Sequence, residues 1–201
     1  MDTLQDIAHH VNGVLTDYGH PRCSVRDVRR SIGLGVHELL KGVAPPFARD
    51  ADRLEDAVAL FKKRYREKPI RRTRAFPHVR KVLSRDLAGV KKAIITNKPQ
   101  DITRMILEEL DLAQYFELVI GMNAGHAPKP DPSSTFFVMK KFGVSPKDTV
   151  YIGDSRIDAE TSRNAGIDFA WVDYGYDEPC GHSPRFTFSS ASEWKKLAVN
   201  R

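Results

Sequence analysis

Beyond Val90 the chain alternates short apolar runs with amphipathic stretches, and that rhythm limits its possible folds more than any other feature. Val90–Ile95 reads as a strand, and a helix follows with Pro99 near its first turn and Ile102, Met105, Ile106 and Leu110 on one face. Strand Glu117–Ile120, a helix near Thr135–Phe142, strand Thr149–Ile152, a helix from about Ile157 to Ala165 and strand Phe169–Val172 continue the pattern. Phe186–Phe188 reads as a last weak strand before a terminal helix around Glu193–Leu197. Strands separated by helices require crossover connections. The expectation is therefore an α/β fold, a Rossmann-like parallel sheet with helices on both faces. In such sheets ligands collect beyond the carboxyl ends of the strands.

The first third has a different period. Leu4, Ile7, Ala8, Val11 and Leu15 form one helical stripe, and Leu54, Ala57, Val58, Phe61 and Tyr65 form another. Ser24 followed by Asp27 predicts a capping box that opens a short helix through Val28 to Ile32. Gly19–Pro21, Gly33–Gly35 and Val43–Pro46 break this part into turns. The division expected is a small all-helical domain over residues 1–75 and the α/β core over 76–201.

Composition narrows the class. The apolar residues make up 41% of 201, an ordinary globular level once glycine is added. With only Cys23 and Cys180 there is no disulfide framework and no four-cysteine zinc site, and a reducing compartment is the default reading. No apolar run approaches the ~18–20 residues of a membrane helix, and the first residues lack the cationic head of a secretory signal. A cytoplasmic protein with no membrane contact is expected. Of the net charge of +6, the stretch Lys62–Arg74 alone carries +7, eight cations against Glu67. Tyr65 is its only aromatic, which argues against a nucleic-acid binder, since those interleave stacking rings with cations. A solvated helix end and linker is the plainer reading, and attraction of an anionic small substrate the next.

Three groups sit at predicted strand ends. Thr96-Asn97-Lys98 follows Ala93-Ile94-Ile95 and offers a hydroxyl and backbone N–H groups that suit a phosphate oxygen, although Thr and Asn are also common helix caps. Lys129 stands in Pro128-Lys129-Pro130-Asp131-Pro132, where flanking prolines stiffen the backbone from which the cation projects. Asp154 and Asp158, in Gly153-Asp154-Ser155-Arg156-Ile157-Asp158, put one carboxylate at a strand tip and another one turn into the next helix, a pairing that suits a hard cation such as Mg²⁺. Together, a hydroxyl, a lysine and a carboxylate pair behind successive parallel strands define a magnesium-dependent phosphoryl site.

At these residues the chain resembles the haloacid dehalogenase-like hydrolases, phosphoglycolate phosphatase-like branch. The matching stretches are AIITNKP, PKPDPSS and YIGDSRIDAETSRNAGI, with WVDYGY and IGLGVHELL alongside. The resemblance implies a phosphatase that acts on a small phosphorylated metabolite through an aspartyl-phosphate, as a monomer or homodimer. It implies that Thr96 and the Asn97 backbone bind the transferred phosphoryl group and that Lys129 stabilises its charge. Asp154 would bind Mg²⁺, Asp158 would support that ion directly or from behind, and the helical unit would be a cap that closes over the site and selects the substrate.

The family's first motif, an Asp-x-Asp-Gly-Thr that ends a central strand and supplies the nucleophile, has no match in this sequence. Met1-Asp2-Thr3-Leu4 resembles the segment between that motif and the first helix of the cap. The expectation is that the strand lies upstream of a start placed too late, and that the chain as written is inactive alone. The alternative is a catalytically dead relative that still binds phosphate or a phosphometabolite. Other features carry less. Gly33-Leu34-Gly35 follows no strand and lacks a third glycine, so it is no dinucleotide fingerprint. His9 and His10 have no metal-ligand spacing, neither cysteine has a positioned base, and Trp171 and Trp194 read as core.

Overall fold

The computed structural model describes residues 1–177, 181 and 183–199, so Cys180 lies outside the described residues. Four helices come first: α1 (Leu4–Asp17), α2 (Val25–Ser31), α3 (Val36–Val43) and α4 (Ala51–Glu67), with a 3₁₀ turn at Pro45–Arg49. Their apolar stripes face one another. Val11, Leu15, Leu40, Phe47, Val58, Phe61 and Tyr65 are buried in one cluster, which Ile102 and Ile106 join from the α/β part. The capping box predicted at Ser24 and Asp27 opens α2, with Ser24 N donating to Asp27 Oδ2 at 2.9 Å and Asp27 N to Ser24 Oγ at 3.2 Å. His10 is buried against the Tyr65 ring and shares a hydrogen bond with the Lys68 carbonyl.

One buried carboxylate fastens the chain where it leaves the helices. Asp6 accepts the N–H groups of Arg71 (2.9 Å), Arg72 (3.0 Å) and Thr73 (2.8 Å) and the Thr73 hydroxyl (2.7 Å). Burial works to raise its pKa, but these donors outweigh it and hold the carboxyl below its usual value. Beside it, Asp2 and Arg74 exchange backbone hydrogen bonds, so residues 1–6 and 71–74 lie side by side as an isolated antiparallel bridge.

The α/β part carries β1 (Ala93–Pro99), β2 (Leu118–Met122), β3 (Val150–Gly153), β4 (Asp168–Val172) and β5 (Phe186–Phe188), and every pairing is parallel. Its helices are α5 (Val79–Lys81), α6 (Gln100–Glu109), α7 (Ser133–Phe142), α8 (Arg156–Ala165) and α9 (Lys196–Val199). Alternate strand residues go to opposite faces. Val150, Ile152, Ala170, Val172 and Phe188 pack toward Trp194 and Leu197, whereas Tyr151, Phe169 and Trp171 pack toward Ala159 of α8. The mixed α/β fold with helices over a parallel sheet is as read from the sequence. β1 begins three residues later than the apolar run suggests because Val90 closes a turn on Leu87, and Lys92 Nζ caps the carbonyls of Leu87 and Val90. The terminal helix is a 3₁₀ turn, Ala191–Lys195, before it becomes α9.

The sheet is in two pieces. Among the described residues β1 pairs with β2 alone and β3 with β4 and β5, so the inner edges of β1 and β3 have no strand partner. Between them runs a slot of about 1050 Å³ that Ala93, Ile95, Val150 and Ile152 line. Thr135 Oγ1, buried beside it, has no hydrogen-bond partner. No helix among the described residues is long and apolar enough to cross a membrane.

Replacing Asp6 by Ala leaves three N–H donors and a hydroxyl unmatched in a buried setting, with an expected loss of about 3 kcal/mol in urea unfolding. Because the folded pKa is depressed, the Asp6 contribution is complete above pH ~4, the unfolded carboxyl value, and is lost as pH falls through the folded one. Wild type and Asp6→Ala should therefore converge in stability on acidification.

Candidate active site

The strand-end groups singled out in the sequence meet at one end of the slot. Thr96, Lys129, Asp154 and Asp158 all line it, at the carboxyl ends of β1 and β3 and in the loop before α7. Lys129 is the hub. Its Nζ donates to Asp158 Oδ1 at 2.6 Å, and both side chains are close to nine-tenths buried. Burial by itself would lower the ammonium pKa, but the Asp158 carboxylate overrides it and raises the value above that of a free lysine.

Asp158 is fully engaged. Its Oδ2 accepts the backbone N–H groups of Asp154 and Ser155 at 3.2 Å each and the Ser155 hydroxyl at 2.7 Å, which makes it the third residue of the capping box that opens α8. Asp154 is the carboxylate left to the cavity. It accepts one N–H, from Tyr176 at 3.2 Å, and its pKa is pushed up to about 6, first by burial and then by the neighbouring Asp158. Gly175 makes room for it, since a Cβ there would overlap the Asp154 side chain. The Tyr176 hydroxyl accepts from Thr3 N at 2.7 Å and donates to the Met1 carbonyl, which brings the first residues of the chain to the mouth of the site.

Thr96 Oγ1 accepts the Lys98 N–H at 3.1 Å, within the stretch where the register of β1 against β2 shifts between Ile95 and Pro99. The Asn97 side chain is committed to backbone groups, with Nδ2 donating to the Gly33 and Lys129 carbonyls and Oδ1 accepting the Lys129 N–H. Lys98 points away toward the helical layer, where its Nζ meets the Tyr65 hydroxyl at 3.0 Å. Burial pulls that ammonium down to about 7, an effect partly offset by Asp6.

The helical layer closes one side. Arg29 of α2 donates to the carbonyls of Tyr176 (2.6 Å) and Gly175 (2.9 Å), and Arg66 of α4 pairs with Asp101 of α6. Sequence reasoning singled out none of Arg29, Gly175 or Tyr176 as site residues. Gly175 and Tyr176 were within reach, because they lie in the WVDYGY phrase that carries part of the resemblance. The basic run is partly paired: Arg64 meets Asp17 at 2.5 Å, Arg66 meets Asp101, and Tyr65 is turned inward. Cys23 is a free thiol whose pKa burial and Asp27 raise, the opposite of an activated nucleophile.

A parallel sheet with a hydroxyl, a buried lysine and a carboxylate near its strand ends, under a helical layer, defines the class of α/β proteins whose ligands meet at the carboxyl ends of the strands. The model of the haloacid dehalogenase-like hydrolase family matches residues 1–172. The chain is 34% identical over 184 residues to phosphoglycolate phosphatase 1 of Pseudomonas aeruginosa, across 88% of this chain and 66% of that one. It is 30% identical over 201 residues to the phosphoglycolate phosphatase of Aquifex aeolicus, across the whole chain and 92% of the relative. Among solved structures, one described as a predicted phosphoglycolate phosphatase from Haemophilus somnus superposes with a TM-score of 0.90 at 25% identity, over 98% of this chain and 92% of that one. A putative phosphoglycolate phosphatase from Lactobacillus delbrueckii superposes with a TM-score of 0.86 at 26% identity, over 100% and 94% of the two chains. The chain belongs to the haloacid dehalogenase-like hydrolase family, in its phosphoglycolate phosphatase-like branch. It spans just under two thirds of the length of the P. aeruginosa relative.

The Lys129–Asp158 pair yields a direct test. Asp158→Asn leaves a buried ammonium without its counter-charge, so Lys129 should titrate below its ordinary lysine value, read by NMR at the Lys129 Cε. Stability should fall by about 3–5 kcal/mol.

Proposed function

We propose that this chain provides the cap and most of the core of a magnesium-dependent phosphohydrolase that removes phosphate from a small phosphorylated metabolite. The cap is residues 1–75 and the core 76–201. The observation that carries the proposal is the convergence of Thr96, Lys129 and Asp154 on one end of the slot. In this reading Thr96 and the Asn97 N–H hold the phosphoryl oxygens, and Lys129 neutralises charge as it builds on them. A cation held rigidly by Asp158 needs no reorganisation to do this.

The donor set suits Mg²⁺. Asp154 offers a hard oxygen facing the slot, and its raised pKa reflects a buried negative charge that a cation would relieve. No cluster of three His, Cys, Asp or Glu exists among the described residues, so further ligands would come from substrate and from a second carboxylate. When bound, the ion would withdraw charge from a phosphoryl oxygen. The residues that would hold it are Asp154, with Asp158 fixing the backbone of Asp154 from behind.

In this reading an aspartate nucleophile would be carried by a further strand seated in the slot between β1 and β3. A strand there would hydrogen-bond to both inner edges and end beside Lys129 and Asp154. Its carboxylate would attack phosphorus and release the substrate alcohol, and water would then cleave the acyl phosphate to inorganic phosphate. Without it the chain binds but does not turn over. The two-cysteine composition suits a cytoplasmic setting, and a monomer or homodimer is the assembly proposed.

The test is a fusion of this chain to an apolar strand ending in Asp-x-Asp-Gly-Thr, assayed on 4-nitrophenyl phosphate and small phosphorylated acids. Magnesium-dependent turnover is expected in the fusion and none in the unfused chain. Lys129→Ala or Asp154→Asn should cost at least about 10²-fold. Full turnover in either variant would sink the residue roles. Phosphate binding with no turnover in the fusion would favour the binding-protein alternative.

A further inference from the structure

Asn97 is buried, and its side chain joins the helical layer to the backbone of Lys129. An amide has two N–H donors and one carbonyl. Here Nδ2 donates to the Gly33 carbonyl of the helical layer at 2.9 Å and to the Lys129 carbonyl at 3.0 Å, while Oδ1 accepts the Lys129 N–H at 2.8 Å. Asn97 thus pairs with both backbone groups of Lys129 as a strand neighbour would, and its remaining hydrogen reaches across the seam.

The turn it reaches is shaped to be held. Gly33 sits at φ 128° and Gly35 at φ 95°, conformations that residues with a Cβ rarely adopt. A Cβ on Gly33 would lie 2.8 Å from Ile157 Cδ1, and one on Gly35 would lie 2.9 Å from Met122 Cε. The turn is therefore seated on the start of α8, the end of β2 and the end of β1 together. We infer that Asn97 is a positioning residue, a latch through which seating of the Gly33–Gly35 turn fixes the backbone of Lys129. It rests on the proposed function only in treating Lys129 as the phosphoryl-binding cation. If that holds, Lys129 reaches its working position only when the helical layer is closed, and catalytic competence is linked to closure by one amide.

The readout is hydrogen exchange at the Lys129 amide, followed by NMR in the 201-residue chain, because that N–H is the one Asn97 accepts. Gly33→Ala unseats the turn without touching Asn97 and should speed exchange at Lys129 on the order of tenfold, the loss expected for one hydrogen bond. Asn97→Asp keeps an acceptor for the Lys129 N–H but cannot donate to Gly33, and should act in the same direction. An unchanged Lys129 amide in both variants overturns the inference. Exchange at the Ser155 amide, which Asp158 accepts at the start of α8, separates the routes: it should stay unchanged in Gly33→Ala. If Ser155 accelerates together with Lys129, strain travels through α8 and Asp158, and Asn97 is no latch. Turnover is not read at any point, so failure of the latch and failure of the phosphatase reading are distinguishable.

Discussion

The site depends on how the two carboxylates of one short turn are divided. Asp158 is drawn inward by two backbone N–H groups, a hydroxyl and the Lys129 ammonium. That commitment opens α8, fixes the loop carrying Lys129 and leaves the Asp154 carboxylate, among the described residues, with a single N–H partner and a slot to face. Burial of charge is costly unless every lone pair is met, and here one aspartate meets that condition while the other does not. In the function proposed above, that contrast makes Asp154 the group that gains most from a cation and Lys129 the group that stabilises an anion without moving.

The split sheet is the second constraint. Parallel strands hold their place through hydrogen bonds on both sides, and an unmatched buried backbone group costs about 1–3 kcal/mol. β1 and β3 each have a partner on one side and the slot on the other. Thr96 and Asp154 hang from those same two strands, so the spacing of the strands sets the distance between them. Fold and chemistry therefore share one requirement. The helical layer adds a third, since it touches β1, β2 and α8 through a turn of two glycines.

Much of this was legible in the residues. Short apolar runs and helical stripes place the strands and helices to within a few residues, and the apolar stripe from Leu54 to Tyr65 is buried. Thr96, Lys129 and Asp154 were recognisable because each follows an apolar strand. What escaped was long-range and polar. Asp6 reads as one more charge on a helix, yet it closes the passage to residues 71–73. Asn97 reads as a cap or a phosphate ligand, yet its side chain serves Gly33 and Lys129, which lie 64 and 32 residues away. No local pattern encodes such pairings. Val90 misled for the opposite reason: its strand propensity yields to a turn that Lys92 caps.

In the function proposed above, Thr96, Asn97 and Lys129 form one phosphoryl-binding site at the end of the slot. Titration of inorganic phosphate into the ¹⁵N-labelled chain with Mg²⁺ tests it most directly. Saturable shifts at the amides of Thr96, Asn97 and Lys129 are expected, and they should disappear in Lys129→Ala. Shifts confined to the basic stretch Lys62–Arg74, unchanged by that substitution, would contradict it.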